Sequence, residues 1–133
     1  MIVGRSLKPF RRPWLWSGLW SIAIATVVVF SLIPAPQLPD LPPGGDKWEH
    51  FLAYAALAAY AVQLYDRWPS LLGAGLSLAL LGIGLEHAQG ALTETRMMDR
   101  WDALANTLGV IAGLATRMTP WRDALLNFDL RRA

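Results

Sequence analysis

A long uncharged apolar run near the start of the chain constrains the fold more than any other feature. Residues 15–33 read LWSGLWSIAIATVVVFSLI and contain no acidic or basic side chain. Because a helix needs about 20 mainly apolar residues to cross a bilayer core, this run predicts a membrane-spanning helix. A basic flank before such a run is also typical of a cleaved signal peptide. The run is longer than an ordinary signal-peptide core, and Pro34, Pro36 and Pro39 follow it, so we expect the helix to be retained.

Three further apolar runs follow, at about residues 48–65, 69–86 and 101–118. The hydrophobic fraction of 54% and the mean hydropathy of +0.32 exceed those of an ordinary soluble domain. Charged residues make up only 17% of the chain and cluster between the runs. We therefore predict one all-α domain over residues 1–133, a polytopic membrane protein with four transmembrane helices in a small bundle.

Two local patterns predict how these helices pack. Asp66, Arg67 and Pro69 separate the second and third runs by a very tight turn, which makes those helices antiparallel. In the fourth run Gly109 and Gly113 have the GxxxG spacing. Small residues at that spacing allow two membrane helices to approach closely.

Lysine and arginine fall mainly on one side of the four predicted spans. That side holds Arg5, Lys8, Arg11, Arg12, Arg67, Arg117, Arg122, Arg131 and Arg132, and the other holds Lys47, Arg96 and Arg100. Because positively charged loops stay in the cytoplasm, both termini are predicted to be cytoplasmic. The pI of about 9.4 then reflects orientation, and we expect no nucleic-acid partner.

Polar side chains recur at helical spacing near the outer ends of the last three spans. Each stripe keeps to steps of three or four residues and so to one helix face. The stripes are Asp46, His50 and Tyr54, then Glu86 and Gln89, then Asp99, Asp102 and Asn106. Since polar groups facing lipid are costly, a bundle turns such stripes inward. We predict a recessed polar pocket open to the outer surface, with Lys47 and Arg96 balancing its negative charge.

Some of these residues have simpler explanations. Asp46 and Glu49 have the spacing of a capping box, which satisfies the free N–H groups at a helix start. Asn106 is of the type that links membrane helices by hydrogen bonds. Glu86 and Asp102 are harder to explain in this way, because an ionisable residue within a membrane segment is a functional hypothesis by default.

Three stretches in order, DKWEHFLAY, EHAQ and RMMDRWDALANTLG, carry most of these residues. Over about residues 40–115 the chain thereby resembles the VanZ-like family of small bacterial membrane proteins. The matching positions are Asp46, Lys47, His50, Phe51, Tyr54, Glu86, Gln89, Arg96, Asp102, Asn106 and Gly109. The resemblance implies a place in the cell envelope and a link to teicoplanin-type glycopeptides, without an established reaction. Met97 and Met98 depart from the family, whose residues beside the arginine are more aromatic.

Three functions remain open from the sequence. In the first, the pocket binds the head group of an envelope lipid or lipid-linked cell-wall precursor, with Arg96 and Lys47 facing its phosphate. Alternatively, the protein is a membrane-embedded enzyme in which His50 acts as a general base with Glu86 or Asp102. In the third, the stripes only lock the helices in register. The candidate ligand-binding residues are Asp46, Lys47, His50, Tyr54, Glu86, Gln89, Arg96, Asp102 and Asn106.

No cofactor is predicted. The chain contains no cysteine and no close-spaced ligand motif such as H-E-x-x-H, so we expect no metal site. If a metal were bound, its ligands would be His50, Glu86 and Asp102. The other histidine, His87, directly follows Glu86 and is expected to face solvent. The predicted partners are the lipid bilayer and a lipid ligand, and the oligomeric state is left open.

Overall fold

The computed structural model describes residues 6–33, 45–92 and 100–131, with side chains in the second range from residue 47 onward. The regular elements in these ranges are helices, which confirms the all-α prediction. They are α1 (Pro13–Leu32), α2 (Gly45–Leu64), α3 (Trp68–Leu92), α4 (Arg100–Ala115) and α5 (Ala124–Arg131). Two short 3-10 turns, Thr116–Met118 and Pro120–Asp123, lead from α4 into α5.

The helix boundaries agree with the sequence except in α3. The turn between α2 and α3 is as tight as predicted, since α2 ends at Leu64 and α3 begins at Trp68. Span three was predicted to end at about Glu86, and the helix α3 continues beyond that residue to Leu92. Nothing between Glu86 and Gln89 breaks a helix, so both residues lie inside α3.

The first four helices alternate in direction along the bundle. The Tyr60 hydroxyl, late in α2, donates to the carbonyl of Trp16, early in α1, at 2.7 Å. At the other end, Gln89 Nε2 in α3 donates to the carbonyl of Ser31, late in α1, at 2.8 Å. His50, early in α2, meets Glu86 of α3 and Asp102 of α4. The start of α2, the start of α4 and the ends of α1 and α3 therefore share one end of the bundle, called the site end below.

Glycine brings α4 into main-chain contact with α2. A methyl group added at Gly109 would overlap the carbonyl oxygen of Phe51, and one added at Gly113 would overlap the carbonyl oxygen of Ala55. These two glycines are the GxxxG pair, so the predicted close approach is confirmed. Helices α2 and α4 make the most extensive helix–helix contact among the described residues. This contact fixes the positions of the polar residues at the start of both helices.

The surface of the bundle is apolar along its middle, and the interior holds polar side chains. The exposed side chains include Leu19 and Ile22 of α1, Leu52 of α2, Leu72, Leu76 and Leu80 of α3, and Leu104, Leu108 and Ile111 of α4. By length and composition α1 and α3 could each cross a membrane, with mean hydropathies of 1.9 and 1.6. The other two helices do not meet that criterion, and α4 has only 16 residues.

The opposite end of the bundle, called the terminal end below, collects both ends of the described chain. The N–H of Lys8 donates to the carbonyl of Leu64 at 2.9 Å, and Leu7 forms an isolated antiparallel bridge with Tyr65. The α5 helix returns to the same end, where the N–H of Leu125 donates to Gln63 of α2. The first segment, the α2–α3 turn and α5 thus pack together.

Candidate functional site

Three ionisable side chains from three different helices meet at the site end. His50 of α2 lies between the two carboxylates, with Nδ1 3.9 Å from Glu86 Oε1 and Nε2 3.8 Å from Asp102 Oδ2. The three- and four-residue spacing of polar residues predicted that each of these side chains lies on the inner face of its own helix. The fold brings the three faces together. The predicted convergence of the three stripes is therefore present for these residues.

Asn106 fixes the orientation of the imidazole. His50 Nδ1 lies 3.0 Å from Asn106 Oδ1, and an amide oxygen can only accept a hydrogen bond. In the tautomer that forms this hydrogen bond, Nδ1 carries the proton. In a neutral imidazole the other nitrogen, Nε2, then carries the lone pair, and it faces Asp102. His50 is thus positioned to accept a proton or to ligate a cation on its Asp102 side.

The exposed fraction of these side chains decreases from the end of the bundle, here called the rim, toward the interior. At the rim, the Lys47 side chain is 42% exposed, and its Nζ lies 3.5 Å from Asp102 Oδ1. The exposed fraction falls to 18% for His50, 11% for Asp102 and 2% for Glu86. The group is therefore most accessible at Lys47 and most buried at Glu86, and these four side chains together with Asn106 are called the recess below.

Gly82 and Tyr54 lie beneath the recess. A methyl group added at Gly82 would lie 3.0 Å from Asn106 Nδ2 and 3.3 Å from Tyr54 Cε1. The absence of a side chain at Gly82 therefore makes room for the amide that holds His50. Tyr54 is buried with only 2% of its surface exposed, one helical turn below His50. It closes the bottom of the recess, which agrees with its predicted position on the same face.

Other candidates are placed differently or fall outside the described residues. Gln89 is buried, but its amide nitrogen is directed to α1 through the carbonyl of Ser31. The helix α1, which carries none of the predicted polar stripes, thus supplies a main-chain acceptor. Arg96, Asp99 and the side chain of Asp46 were also predicted to belong to the pocket, and they lie outside the described residues.

His87 and Glu49 adjoin Glu86 and His50 in the sequence but do not belong to the group. His87 is exposed, as predicted, and its Nδ1 lies 2.9 Å from the carbonyl of Ile83 one turn earlier in the same helix. Glu49 is also exposed, although it adjoins His50 in the sequence. Neighbours in sequence therefore point away from the recess, and both serve as matched controls for substitutions within it.

A second polar group, at the terminal end, was not found from the sequence. Lys8 is buried, and its Nζ donates to the carbonyls of Val62 and Arg122 and lies 2.8 Å from Asp123 Oδ1. Asp129 is also buried, and it accepts a hydrogen bond from Trp16 Nε1 at 2.9 Å. Nothing in the sequence around Asp129 distinguishes a buried carboxylate from an exposed one.

The carboxylates of this second group are held in their charged form. The hydrogen bond from Lys8 is the main cause that lowers the pKa of Asp123 from its usual value. Burial by itself would raise the pKa of Asp129. Hydrogen bonds from Trp16 and from the main-chain N–H groups of Arg11 and Arg12 outweigh that effect, so the pKa of Asp129 is lowered. These acids therefore join the terminal segments electrostatically.

Comparison of the chain with protein-family models, with curated proteins and with solved structures finds no match.

Proposed function

We propose that this chain is a four-span protein of the bacterial inner membrane and a member of the VanZ-like family. In this proposal its site end binds the head group of an envelope lipid or lipid-linked cell-wall precursor. Such binding would alter susceptibility to glycopeptides of the teicoplanin type. The observation that carries the proposal is the recess, in which side chains of α2, α3 and α4 converge and exposure falls from Lys47 to Glu86.

The distribution of side chains supports four spans. In α2 and α4 the large apolar residues Leu52, Leu104 and Leu108 face outward, while His50 and Asn106 face inward. Leu57 and Val62 of α2 and Val110 of α4 are buried as in any core, so the distinctive feature is the exposure of the leucines beside buried polar groups. Water disfavours that exposure, because contiguous exposed apolar surface is rare in soluble monomers. A hydrocarbon environment favours it and penalises polar groups at the surface of a helix bundle.

Tryptophan exposure also supports this placement. Trp48 and Trp101 are exposed at the site end, and Trp14, Trp68 and Trp121 are exposed at the terminal end. Tryptophan is enriched at both membrane–water interfaces, where the ring meets the head groups. The terminal end carries most of the described arginines, which orients it toward the cytoplasm and the recess toward the outside.

Single-cysteine labelling tests the topology, because the chain contains no cysteine of its own. Glu49→Cys at the site end should react with a membrane-impermeant thiol reagent in intact cells. Arg67→Cys in the α2–α3 turn should react only after the membrane is permeabilised. Equal reaction of the two variants in intact cells contradicts the proposed orientation.

Lipid retention tests the binding function. Native mass spectrometry of the protein purified from its membrane should detect a phosphate-bearing lipid. His50→Ala and Lys47→Met should reduce its occupancy at least tenfold, because they alter the recess. His87→Ala is the matched control and should retain it. Unchanged occupancy in both recess variants contradicts a head-group site at this position.

The location of His50 between two carboxylates favours a second candidate, a membrane-embedded enzyme acting on the same lipid. A positioned imidazole flanked by acids is suited to general-base catalysis. Incubation of the purified protein with radiolabelled envelope lipids tests this by chromatography. A product that forms with wild-type protein and with His87→Ala, but not with His50→Ala, would establish the enzyme.

The buried contact between His50 and Asn106 favours a third candidate, a lock that only holds the helices in register. Membrane abundance separates this candidate from the others. A lock predicts that His50→Ala and Asn106→Ala reduce the amount of folded protein. Normal abundance together with lost lipid occupancy excludes it.

A further inference from the structure

The recess brings together donor atoms that the sequence holds far apart. One candidate ligand atom from each of His50, Glu86 and Asp102 lies within 4.8 Å of the other two. Each residue belongs to a different helix, so no short sequence motif could reveal the group. From this geometry we propose that the three side chains form a binding site for one divalent transition-metal ion.

The separations of the donor atoms suit a shared ion better than direct hydrogen bonds. His50 Nε2 lies 3.8 Å from Asp102 Oδ2, and Nδ1, the nitrogen that faces Asn106, lies 3.9 Å from Glu86 Oε1. A charge-assisted hydrogen bond between nitrogen and carboxylate oxygen measures about 2.7–2.9 Å, so neither contact is one. Ligand atoms bound tetrahedrally at about 2.0–2.2 Å to one ion lie about 3.3–3.6 Å apart. The donor atoms, which lie within 4.8 Å of one another, would approach by up to about 1.5 Å to close around an ion.

Asn106 provides the outer contact that such a site requires. A histidine that ligates a metal nearly always donates its other ring N–H to a carbonyl or carboxylate, which fixes the tautomer. Here Nδ1 donates to Asn106 Oδ1 at 3.0 Å, and the lone pair of Nε2 faces Asp102. The amide is itself confined by the contact of α3 at Gly82. This preorganisation is independent of the carboxylates.

The donor set indicates the class of ion. Imidazole nitrogen suits Zn²⁺, while carboxylate oxygen suits Mn²⁺ as well, and the mixed set fits both. Three protein ligands leave at least one coordination position for water or for an oxygen atom of a ligand. Since exposure rises toward Lys47, that position would open toward the rim of the recess.

The metal gives the acidic recess a way to hold a phosphate. The two carboxylates alone would repel a phosphate group. A divalent ion bound to both carboxylates would attract the phosphate and link it to them. Lys47 at the rim would add a second cationic contact. This role of the ion rests on the proposed function, whereas the site for the ion rests on the three donors and on Asn106.

Metal titration of the full chain in detergent tests the site. After the protein is stripped with EDTA and the chelator is removed, wild-type protein should bind one Mn²⁺, measured by electron paramagnetic resonance, or one Zn²⁺, measured calorimetrically. His50→Ala, Glu86→Gln and Asp102→Asn should each weaken binding at least tenfold. Asn106→Ala should weaken it about 10–100-fold, as expected for loss of an outer-shell partner.

Matched controls come from the neighbouring residues. His87→Ala removes the other histidine, and Glu49→Gln removes an exposed acid of the same helix as His50. Both should bind the ions as wild type does. If the recess variants fail to fold, a spin-echo signal from an imidazole nitrogen coupled to Mn²⁺ in wild-type protein and in His87→Ala still supports the site. Absence of saturable binding of both ions, or unchanged binding in a folded His50→Ala protein, overturns it.

Repeating the lipid measurement with and without EDTA separates this inference from the proposed function. Lipid occupancy that falls at least tenfold in EDTA and returns with Mn²⁺ supports both. Lipid retained in EDTA by a protein that binds neither ion overturns the metal site alone. Metal binding without lipid under either condition supports the site and overturns the proposed function.

Discussion

Trp16, in the first turns of α1, donates its indole N–H to the carboxylate of Asp129 in α5, with 2.9 Å between Nε1 and Oδ1. The same carboxylate accepts the main-chain N–H of Arg11 and lies 3.6 Å from Nε of Arg12. It is completely buried. One acid of the last helix therefore fastens the segment in which the first helix begins.

Asp129 should make the stability of the protein depend on pH at the acid end. Because the pKa of Asp129 is lower in the folded chain than in the unfolded chain, its contribution is complete above the unfolded value, about 3.9. The contribution is lost as the pH falls from there through the folded pKa. Thermal unfolding in detergent between pH 7 and pH 3 should show this decline in wild-type protein.

Asp129→Asn should lower the melting temperature at pH 7 and make the acid decline shallower. Asp123→Asn is the comparison, since its carboxylate is 44% exposed and its pKa is also lowered. Solvent screening should make the effect of Asp123→Asn smaller. An equal or larger effect at Asp123 contradicts the importance given to the buried acid.

Lys8→Met should destabilise the terminal end. It removes the donor to the carbonyls of Val62 and Arg122 and leaves Asp123 without the hydrogen bond that lowers its pKa. Loss of a buried charged donor costs about 2–3 kcal/mol in the free energy of unfolding. The only other lysine, Lys47, is partly exposed, so Lys47→Met should cost less than about 1 kcal/mol. Denaturant titration of both variants measures the difference.

Gly109→Ala should destabilise the α2–α4 pair. The added methyl group meets main-chain atoms of Phe51 and Ala55, which cannot rotate away. Overpacking of this kind costs about 1–3 kcal/mol, measured by thermal unfolding. Gly84→Ala is the control, because nothing lies within 4 Å of the added methyl group. A loss of stability in the control as large as that of Gly109→Ala would contradict the close helix approach.

Gly82→Ala should weaken the recess with little change in stability. The added methyl group lies 3.0 Å from Asn106 Nδ2, so the amide must shift and its contact with His50 changes. The affinities for Mn²⁺ and for lipid should fall about tenfold, as for an outer-shell substitution. Gly84→Ala, on the same helix, should leave both affinities unaltered. Wild-type affinities in Gly82→Ala would show that the amide does not position the imidazole.

The helical spacing of polar residues predicted that His50, Asp102 and Asn106 would meet, but it did not predict that Gln89 would contact the carbonyl of Ser31. His50, Asp102 and Asn106 each lie on one helix face, and lipid or core packing leaves only the interior for such faces. The tight α2–α3 turn and the GxxxG pair fixed two of the helix contacts. These features are local, so they can be predicted without knowledge of the whole fold.

What the sequence did not predict depends on contacts between distant segments. The burial of Lys8 follows from its meeting with Val62 and Asp123, and the burial of Asp129 follows from its meeting with Trp16. Basic and acidic residues at chain ends usually face solvent, so their type gave the opposite expectation. The predicted end of span three at Glu86 did not show where the helix ends, because charge does not terminate a helix and α3 continues to Leu92.

The division of the recess among three helices determines when it can exist during synthesis. In the proposed four-span arrangement, α1 is apolar enough to partition into the bilayer unaided. α2 would expose His50 to lipid until partners arrive, and α3 would likewise expose Glu86. Only α4, the last of the four to be translated, supplies Asp102 and Asn106. In that arrangement, membrane insertion and site formation would be completed in the same step, and a chain stalled before α4 would remain a substrate for quality-control proteases.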